Sequence, residues 1–126
     1  ASVELLARAG ATTTVLCGDD RFASPLLALG ARGGILAAAN IAPGAYAALI
    51  AAWLADDAAR GRALGHRLDA LGAALFAEPN PTVVKAVLAA RGEIPSAAVR
   101  LPLLSASPES TAVALAAAET LAAAPG

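Results

Sequence analysis

The sequence predicts an α/β fold in which one βαβ unit with two parallel strands is followed by helices alone. Short β-branched or apolar runs lie at 12–17 and 33–38, and a helical stretch separates them. A crossover of this kind joins parallel strands and takes about 30 residues. After residue 40, apolar residues recur at helical spacing. We therefore expect a small parallel sheet followed by a helical C-terminal part.

The predicted elements of the first half are short. Gly10 ends the first helix and Gly30 ends the second, a position that glycine favours. The apolar run of the second strand would also suit a helix, but its flanking glycines and its short length favour a buried strand. The elements are a helix over 3–9, a strand over 12–17, a helix over 21–29 and a strand over 33–38.

Helices are predicted for most of the chain after residue 40. Asn80-Pro81 and Ser107-Pro108 each combine an N-cap side chain with a proline at the first helical position. Asp56 is a third candidate cap, and leucines on the helix after it form a stripe on one face. The predicted helices cover 43–55, 57–77, 81–91 and 109–123, residues 100–103 form an extended connector, and the stripe consists of Leu64, Leu68, Leu71 and Leu75.

Composition excludes several classes of function. With 58% hydrophobic and 15% charged residues, the 126-residue chain has the composition of a folded domain with a core. Its net charge of −1 lacks the basic surface of nucleic-acid-binding proteins, so no nucleic-acid partner is expected. Apolar runs stop short of the ~20 residues that span a membrane, and no signal peptide is recognised. These two observations predict no membrane partner. One cysteine allows no internal disulfide, which fits a reducing compartment, so we expect a cytoplasmic protein.

One glycine-containing segment follows the first predicted strand, and another opens the second. Gly18-Asp19-Asp20 comes directly after the first strand, and ligand groups gather at the carboxyl ends of parallel strands. The alternative is turn chemistry with an aspartate cap on the next helix, which the residues alone favour. Gly33-Gly34 matches no dinucleotide or P-loop fingerprint, and close packing of the strand is its simplest interpretation.

Three single side chains have reactive chemistry, but each has a more common structural interpretation. Lys85 offers an amine for a Schiff base, yet an exposed lysine on a helix is expected. His66 has no local partner that would make it a general base, so it is interpreted as a helix-surface residue. Cys17 is interpreted as a small buried apolar residue. One histidine and one cysteine cannot form a zinc site, so no metal is expected.

Three segments in order resemble the C-terminal part of the dihydrodipicolinate synthase family. They are 15–20 (VLCGDD), 34–40 (GILAAAN) and 78–85 (EPNPTVVK), with 100–103 (RLPL) after them. The first two resemble the wider pyruvate-dependent aldolase superfamily, and the later two point to the synthase. The departures are Cys17, where the family usually has serine, and Thr82-Val83 in place of Ile-Pro.

The resemblance implies a C-terminal fragment of a (β/α)₈ TIM barrel followed by an appended helical subdomain. Residues 12–17 would be strand seven, 33–38 strand eight and 43–55 the last barrel helix. The barrel units would then occupy 1–55 and the helical subdomain 56–126, and the partner would be the missing N-terminal half of the barrel. The resemblance also implies that the complete protein is a homo-oligomer, a dimer or a tetramer.

The resemblance also implies a reaction of lysine biosynthesis that joins pyruvate to aspartate semialdehyde. A lysine forms a Schiff base with pyruvate, and no separate cofactor is needed. That lysine would lie on strand six, upstream of this chain, so no catalytic residue is expected here and the chain alone should be inactive. Tyr46 matches none of the family's tyrosines. The matched positions are Ile35 and Gly18 for substrate binding, with Asp19, Asp20 and Asn40 as further pocket-lining candidates.

Two alternatives stay open at this point. A sister pyruvate-dependent aldolase, of the sugar-acid or N-acetylneuraminate lyase type, would differ only in its second substrate. The second alternative is a non-catalytic interaction module that pairs with a partner chain, because two barrel strands leave open edges and an exposed apolar face.

Overall fold

A computed structural model describes residues 2–9 and 12–123 as eight regular helices and strands with two 3₁₀ turns. The described elements are α1 (Ser2–Ala9), β1 (Leu16–Cys17), α2 (Ala23–Ala28), β2 (Gly33–Gly34), α3 (Pro43–Leu54), α4 (Ala58–Leu75), α5 (Thr82–Ala90) and α6 (Pro108–Ala123). The 3₁₀ turns are Asp20–Phe22 and Ala38–Asn40. The first helix covers Ser2–Ala9, which agrees with the predicted 3–9, and Gly10, its predicted end, lies outside the described residues.

The two strands pair in parallel, which agrees with the predicted βαβ unit. Leu16 pairs with Gly33, and Cys17 pairs with Gly34. The strands are shorter than the predicted 12–17 and 33–38. Each has only the other as a neighbour among the described residues, so no second ladder extends it. The end of the second predicted strand already lies in a 3₁₀ turn.

The predicted helices after residue 40 are all present, with two corrections at their caps. Asp57, and not Asp56, caps α4, because its side chain accepts a hydrogen bond from the Arg60 N–H at 3.0 Å. Asp56 has a φ of 59° and belongs to the preceding turn. Asn80 does not cap α5, because Pro81 occupies the N-cap position and no side-chain hydrogen bond is made there.

The start of α6 agrees with the sequence prediction, whereas the connector at residues 100–103 differs from it. Ser107 Oγ accepts a hydrogen bond from the Ser110 N–H at 3.0 Å, so the predicted cap is confirmed. Residues 100–103 are not fully extended, because the Leu103 N–H donates to the Arg100 carbonyl at 3.0 Å and closes a turn.

Helix α4 lies at the centre of the molecule, between α3 and α6. Its leucine stripe is buried throughout, as the spacing predicts. The core is completed by the apolar faces of α5 and α6 and by the inner face of α3. The most completely buried large side chains are Tyr46, Leu49, Leu71, Leu75, Val83, Val87 and Cys17.

Glycines let α4 approach the N-terminal elements closely. A Cβ at Gly61 would lie 2.6 Å from the Trp53 ring, and one at Gly72 would lie 3.2 Å from Arg21 Cγ. A Cβ at Gly65 would likewise lie too close to Ser24, at 2.7 Å from its Cβ. As a result, α4 contacts both α2 and the 3₁₀ turn that follows β1.

Large apolar side chains are exposed on the N-terminal part of the molecule. They line a surface depression of about 600 Å³, which we call the apolar depression. Its exposed large apolar residues are Val3, Leu5, Leu16, Phe22 and Leu29. Within the described residues, no helix combines the length and the hydropathy needed to cross a membrane.

Candidate functional site

The parallel pairing brings the two glycine-containing segments to one edge of the sheet. Cys17 and Gly34 are paired at the carboxyl ends of their strands, so Gly18 and Ile35 follow them side by side. Ligands of parallel α/β proteins bind at this edge. The structure therefore brings together the two positions for which the family resemblance implies substrate binding.

Gly18 and Ile35 are both exposed at this edge. Space is open at Gly18, where an added Cβ would meet nothing within 4 Å. Ile35 is 77% exposed, and its N–H donates to the Cys17 carbonyl at 2.8 Å. Its own carbonyl oxygen accepts no hydrogen bond from the described part of the chain. At this edge, Ile35 can therefore offer a ligand its carbonyl oxygen as an acceptor.

Asp19 closes the turn after β1. Its Oδ1 accepts a hydrogen bond from the Arg21 N–H at 3.0 Å, and its backbone carbonyl accepts one from the Phe22 N–H at 3.2 Å. Asp19 is thus an aspartate cap, as the turn-chemistry interpretation predicts. The element that it caps is a 3₁₀ turn and not the next helix. It also lines the apolar depression beside Gly18.

Asp20 links the ends of the two strands. It is 6% exposed, and its carboxylate accepts hydrogen bonds from the Ala38 N–H at 2.6 Å and the Ala37 N–H at 3.2 Å. These amides open the second 3₁₀ turn. Sequence reasoning gave Asp20 no definite role, because its partners are backbone groups on a distant segment.

An ion pair joins the turn after β1 to α4. Arg21 donates from Nε to Asp69 Oδ1 at 2.9 Å and from Nη2 to Oδ2 at 3.4 Å. Hydrogen bonding to the guanidinium lowers the pKa of Asp69 below its ordinary value. Both side chains are about half exposed, so the pair contributes little to stability. The sequence contains no signal for it, because the two residues are far apart along the chain.

The remaining sequence candidates have local structural roles. Asn40 Nδ2 donates to the Ala37 carbonyl at 3.0 Å, which closes the second 3₁₀ turn. Cys17 Sγ donates to the Asp19 carbonyl at 3.1 Å, and burial raises the pKa of its thiol. Cys17 is therefore a buried apolar residue, as expected, and not a thiolate at neutral pH.

Lys85 and His66 lie away from the strand ends. Lys85 is half-buried on α5, where its Nζ donates to the Ala98 carbonyl, and it lines a separate depression with Pro81 and Leu103. His66 is exposed on α4, as the sequence predicts. Over 2–9 and 12–123, no group of three or more His, Cys, Asp and Glu side chains is placed to hold a metal.

Tyr46 is a buried side chain whose hydroxyl has no role that the sequence predicts. It is 2% exposed on α3, and its hydroxyl finds no hydrogen-bond partner among the residues described. Burial raises the pKa of this hydroxyl, and the negative charge of Asp20 raises it further. The helical spacing predicts that Tyr46 is buried, but it carries no signal that the hydroxyl lacks a partner.

Replacing Tyr46 by phenylalanine is expected to stabilise the chain. A buried hydroxyl without a partner loses its water hydrogen bonds on folding, so Y46F should raise the free energy of unfolding by about 1 kcal/mol. Urea denaturation followed by circular dichroism measures this change. Thr82→Val should change stability in the same direction, since the Thr82 hydroxyl is also buried without a partner among the described residues. A clear loss of stability in Y46F would contradict the interpretation.

Comparison with known proteins identifies relatives over nearly the whole chain. The sequence model of the Dihydrodipicolinate synthetase family matches residues 1–120. The 4-hydroxy-tetrahydrodipicolinate synthase of Sorangium cellulosum is 46% identical over 103 residues, which cover 82% of this chain and 34% of the relative. The enzyme of the same name from Pseudomonas aeruginosa is 45% identical over 105 residues, which cover 83% of this chain and 36% of the relative.

Solved structures show the same architecture. The dihydrodipicolinate synthase of Aquifex aeolicus superposes with a TM-score of 0.83 at 36% identity and covers 96% of this chain and 40% of its own. The Acinetobacter baumannii synthase, solved in complex with pyruvate, gives a TM-score of 0.87 at 31% identity over 96% of this chain and 41% of its own. The chain spans about a third of the length of the curated relatives that it matches.

Proposed function

The chain belongs to the dihydrodipicolinate synthetase family, and on this premise we propose that it forms the C-terminal part of a pyruvate-dependent lyase. In this proposal β1 and β2 are strands seven and eight of a (β/α)₈ barrel and α3 is the last barrel helix. Residues 56–126 then form the appended helical subdomain. The observation that carries the proposal is the parallel pairing of β1 with β2, which sets Gly18 and Ile35 side by side at the carboxyl edge.

The reaction we propose joins pyruvate to aspartate semialdehyde. The amine of a lysine attacks the ketone of pyruvate and water leaves, which gives a protonated imine that withdraws electrons from the adjacent carbon. Loss of a proton from that carbon gives an enamine, which attacks the aldehyde. In this proposal the lysine belongs to the part of the barrel before β1, since Lys85 lies on α5 in a separate depression and its Nζ donates to the Ala98 carbonyl.

This chain contributes backbone groups to the pyruvate site. Gly18 leaves room for a ligand to approach the backbone, since no atom lies within 4 Å of an added Cβ. The Ile35 carbonyl is available as an acceptor for a donor on the bound pyruvate adduct, because no donor among the described residues bonds to it. Asp19 and Asn40 shape the turns around this edge, with their side chains bonded locally.

The apolar depression is the surface on which the N-terminal half of the barrel would pack. Its exposed aliphatic and aromatic side chains lie on α1, on β1 and at the two ends of α2, beside the strand edge that has no neighbour within the described residues. Exposed apolar groups next to an unpaired strand are typical of a surface covered by another element. The complete protein would act in the cytoplasm as a homo-oligomer, a dimer or a tetramer.

Reduction with borohydride tests this proposal. The chain is co-purified with the N-terminal two thirds of the Sorangium cellulosum relative, incubated with pyruvate and treated with borohydride. We expect a covalent pyruvate adduct on the N-terminal polypeptide and none on this chain, either in the complex or alone, as measured by intact mass spectrometry. Lys85→Arg is the matched variant and should leave the adduct unchanged. An adduct on Lys85, or a complex that forms but gives no adduct, would refute the proposal.

The same complex distinguishes the alternatives. Consumption of aspartate semialdehyde supports the synthase reaction, whereas consumption of a sugar aldehyde alone would favour a sister aldolase. A stable chain that behaves as a monomer and binds no N-terminal polypeptide would favour an independent interaction module.

A further inference from the structure

We propose that Asp20 is a positioning residue whose carboxylate holds the Ile35 carbonyl group in place at the carboxyl edge of the sheet. The inference rests on the proposed function only for the identity of the ligand, pyruvate. The placement of the Ile35 carbonyl is a property of this chain and can be measured without catalysis.

Both oxygens of Asp20 are engaged. Oδ1 accepts from the Ala38 N–H at 2.6 Å and Oδ2 from the Ala37 N–H at 3.2 Å. Ala38 is completely buried, so its N–H has no access to water in place of the carboxylate. A buried amide that loses its acceptor is costly, which makes this pair of hydrogen bonds a strong restraint on the backbone.

Within the described residues, Asp20 forms no ion pair. The Arg21 guanidinium is turned outward and bonds to Asp69 on α4. Asp20 is buried, with 6% of its surface exposed, and a buried charge is tolerated only when hydrogen bonds replace its hydration. The two backbone amides are the donors that the described residues supply to it. Removal of the charge should therefore release the segment that carries those amides.

The restraint reaches Ile35 through a short piece of chain. On one side, the Ile35 N–H is bonded to the Cys17 carbonyl at 2.8 Å. On the other side, Asp20 holds the Ala37 N–H, and Leu36 between them is buried. The Ile35 carbonyl thus lies between two fixed points. This geometry assigns Asp20 an indirect role, because its carboxylate is buried and bonded to the two amides of the segment that follows Ile35.

Nuclear magnetic resonance on the full 126-residue chain tests the restraint. The wild-type chain, Asp20→Asn, Asp20→Glu and Asp19→Asn are compared by backbone assignment and amide hydrogen exchange. We expect slow exchange and a low-field amide proton at Ala38 in the wild type. In D20N, the Ala38 amide should exchange about tenfold faster, and the Ile35 carbonyl carbon should shift. Asp20→Glu keeps the charge and should recover part of the protection.

Asp19→Asn is the matched control. It also removes one carboxylate from this turn, but asparagine keeps the capping acceptor and the residue is exposed. It should leave the Ile35, Ala37 and Ala38 signals as in the wild type. Two results overturn the inference: rapid exchange of Ala38 in the wild-type chain, which needs no variant to fold, or an unchanged Ile35 carbonyl signal in D20N.

The complex with the N-terminal polypeptide supplies the functional readout. If D20N raises the KM for pyruvate about tenfold while kcat changes less, Asp20 acts by positioning the binding group. Unchanged KM and kcat, in a complex that still forms the borohydride adduct, overturn the link to pyruvate. Absence of the adduct in the wild type refutes the proposed function, while the resonance data still decide whether Asp20 holds Ile35.

Discussion

Alanine at Gly61 is expected to destabilise the chain strongly, although alanine favours helices more than glycine does. The new Cβ would lie 2.6 Å from Trp53 Cε2 and 2.8 Å from Cδ2 and Nε1. The indole cannot turn away freely, since its Nε1 donates to Ser24 Oγ at 3.0 Å. We expect G61A to lower the free energy of unfolding by about 2 kcal/mol, measured by urea denaturation.

Gly65 and Gly44 provide the comparisons for this result. Gly65→Ala should have an effect of similar size, because its Cβ would lie 2.7 Å from Ser24 Cβ at the same helix contact. Gly44 lies exposed on α3, and nothing lies within 4 Å of an added Cβ there. G44A should therefore raise stability by about 0.5 kcal/mol, through helix propensity alone. Equal effects at Gly44 and Gly61 would show that α4 does not pack against Trp53 as described.

Helices were easier to predict than strands in this chain, for physical reasons. A helix satisfies its own backbone hydrogen bonds, so spacing and caps identify it locally, as at Ser107 and along the leucine stripe of α4. The extent of a strand depends on its neighbours. The sequence of residues 12–17 shows β-branched character, but pairing is confined to Leu16 and Cys17, where a partner strand exists.

The candidate site could be predicted only in outline. Glycine and aspartate after a strand indicate a carboxyl edge, and the motifs placed Gly18 and Ile35 there. The bond from the Ala38 N–H to Asp20 could not be predicted, because a backbone donor has no sequence signature. The pairing of Arg21 with Asp69 depends on how α4 packs across the turn, and that is decided by tertiary contacts.

Leu71→Ala is expected to have the largest effect on stability, because Leu71 lies at the centre of the core. Its side chain is fully buried on α4, the helix that packs against both α3 and α6. Truncation removes buried apolar atoms and leaves a cavity, which should lower the free energy of unfolding by about 3 kcal/mol. Denaturation by urea measures the loss, and Leu101→Ala, at a side chain 84% exposed, should change stability by less than ~0.5 kcal/mol.

The same variant tests whether the site depends on the helical part of the chain. The turn after β1 contacts α4 through Gly72 and through the pairing of Arg21 with Asp69. If the core and the carboxyl edge form one cooperative unit, L71A should lower the urea midpoint for the Ala38 amide and for α6 together. Loss of protection in α6 at a lower urea concentration than in Ala38 would show that the strand edge is held independently. In that case the restraint by Asp20 would act within the βαβ unit alone.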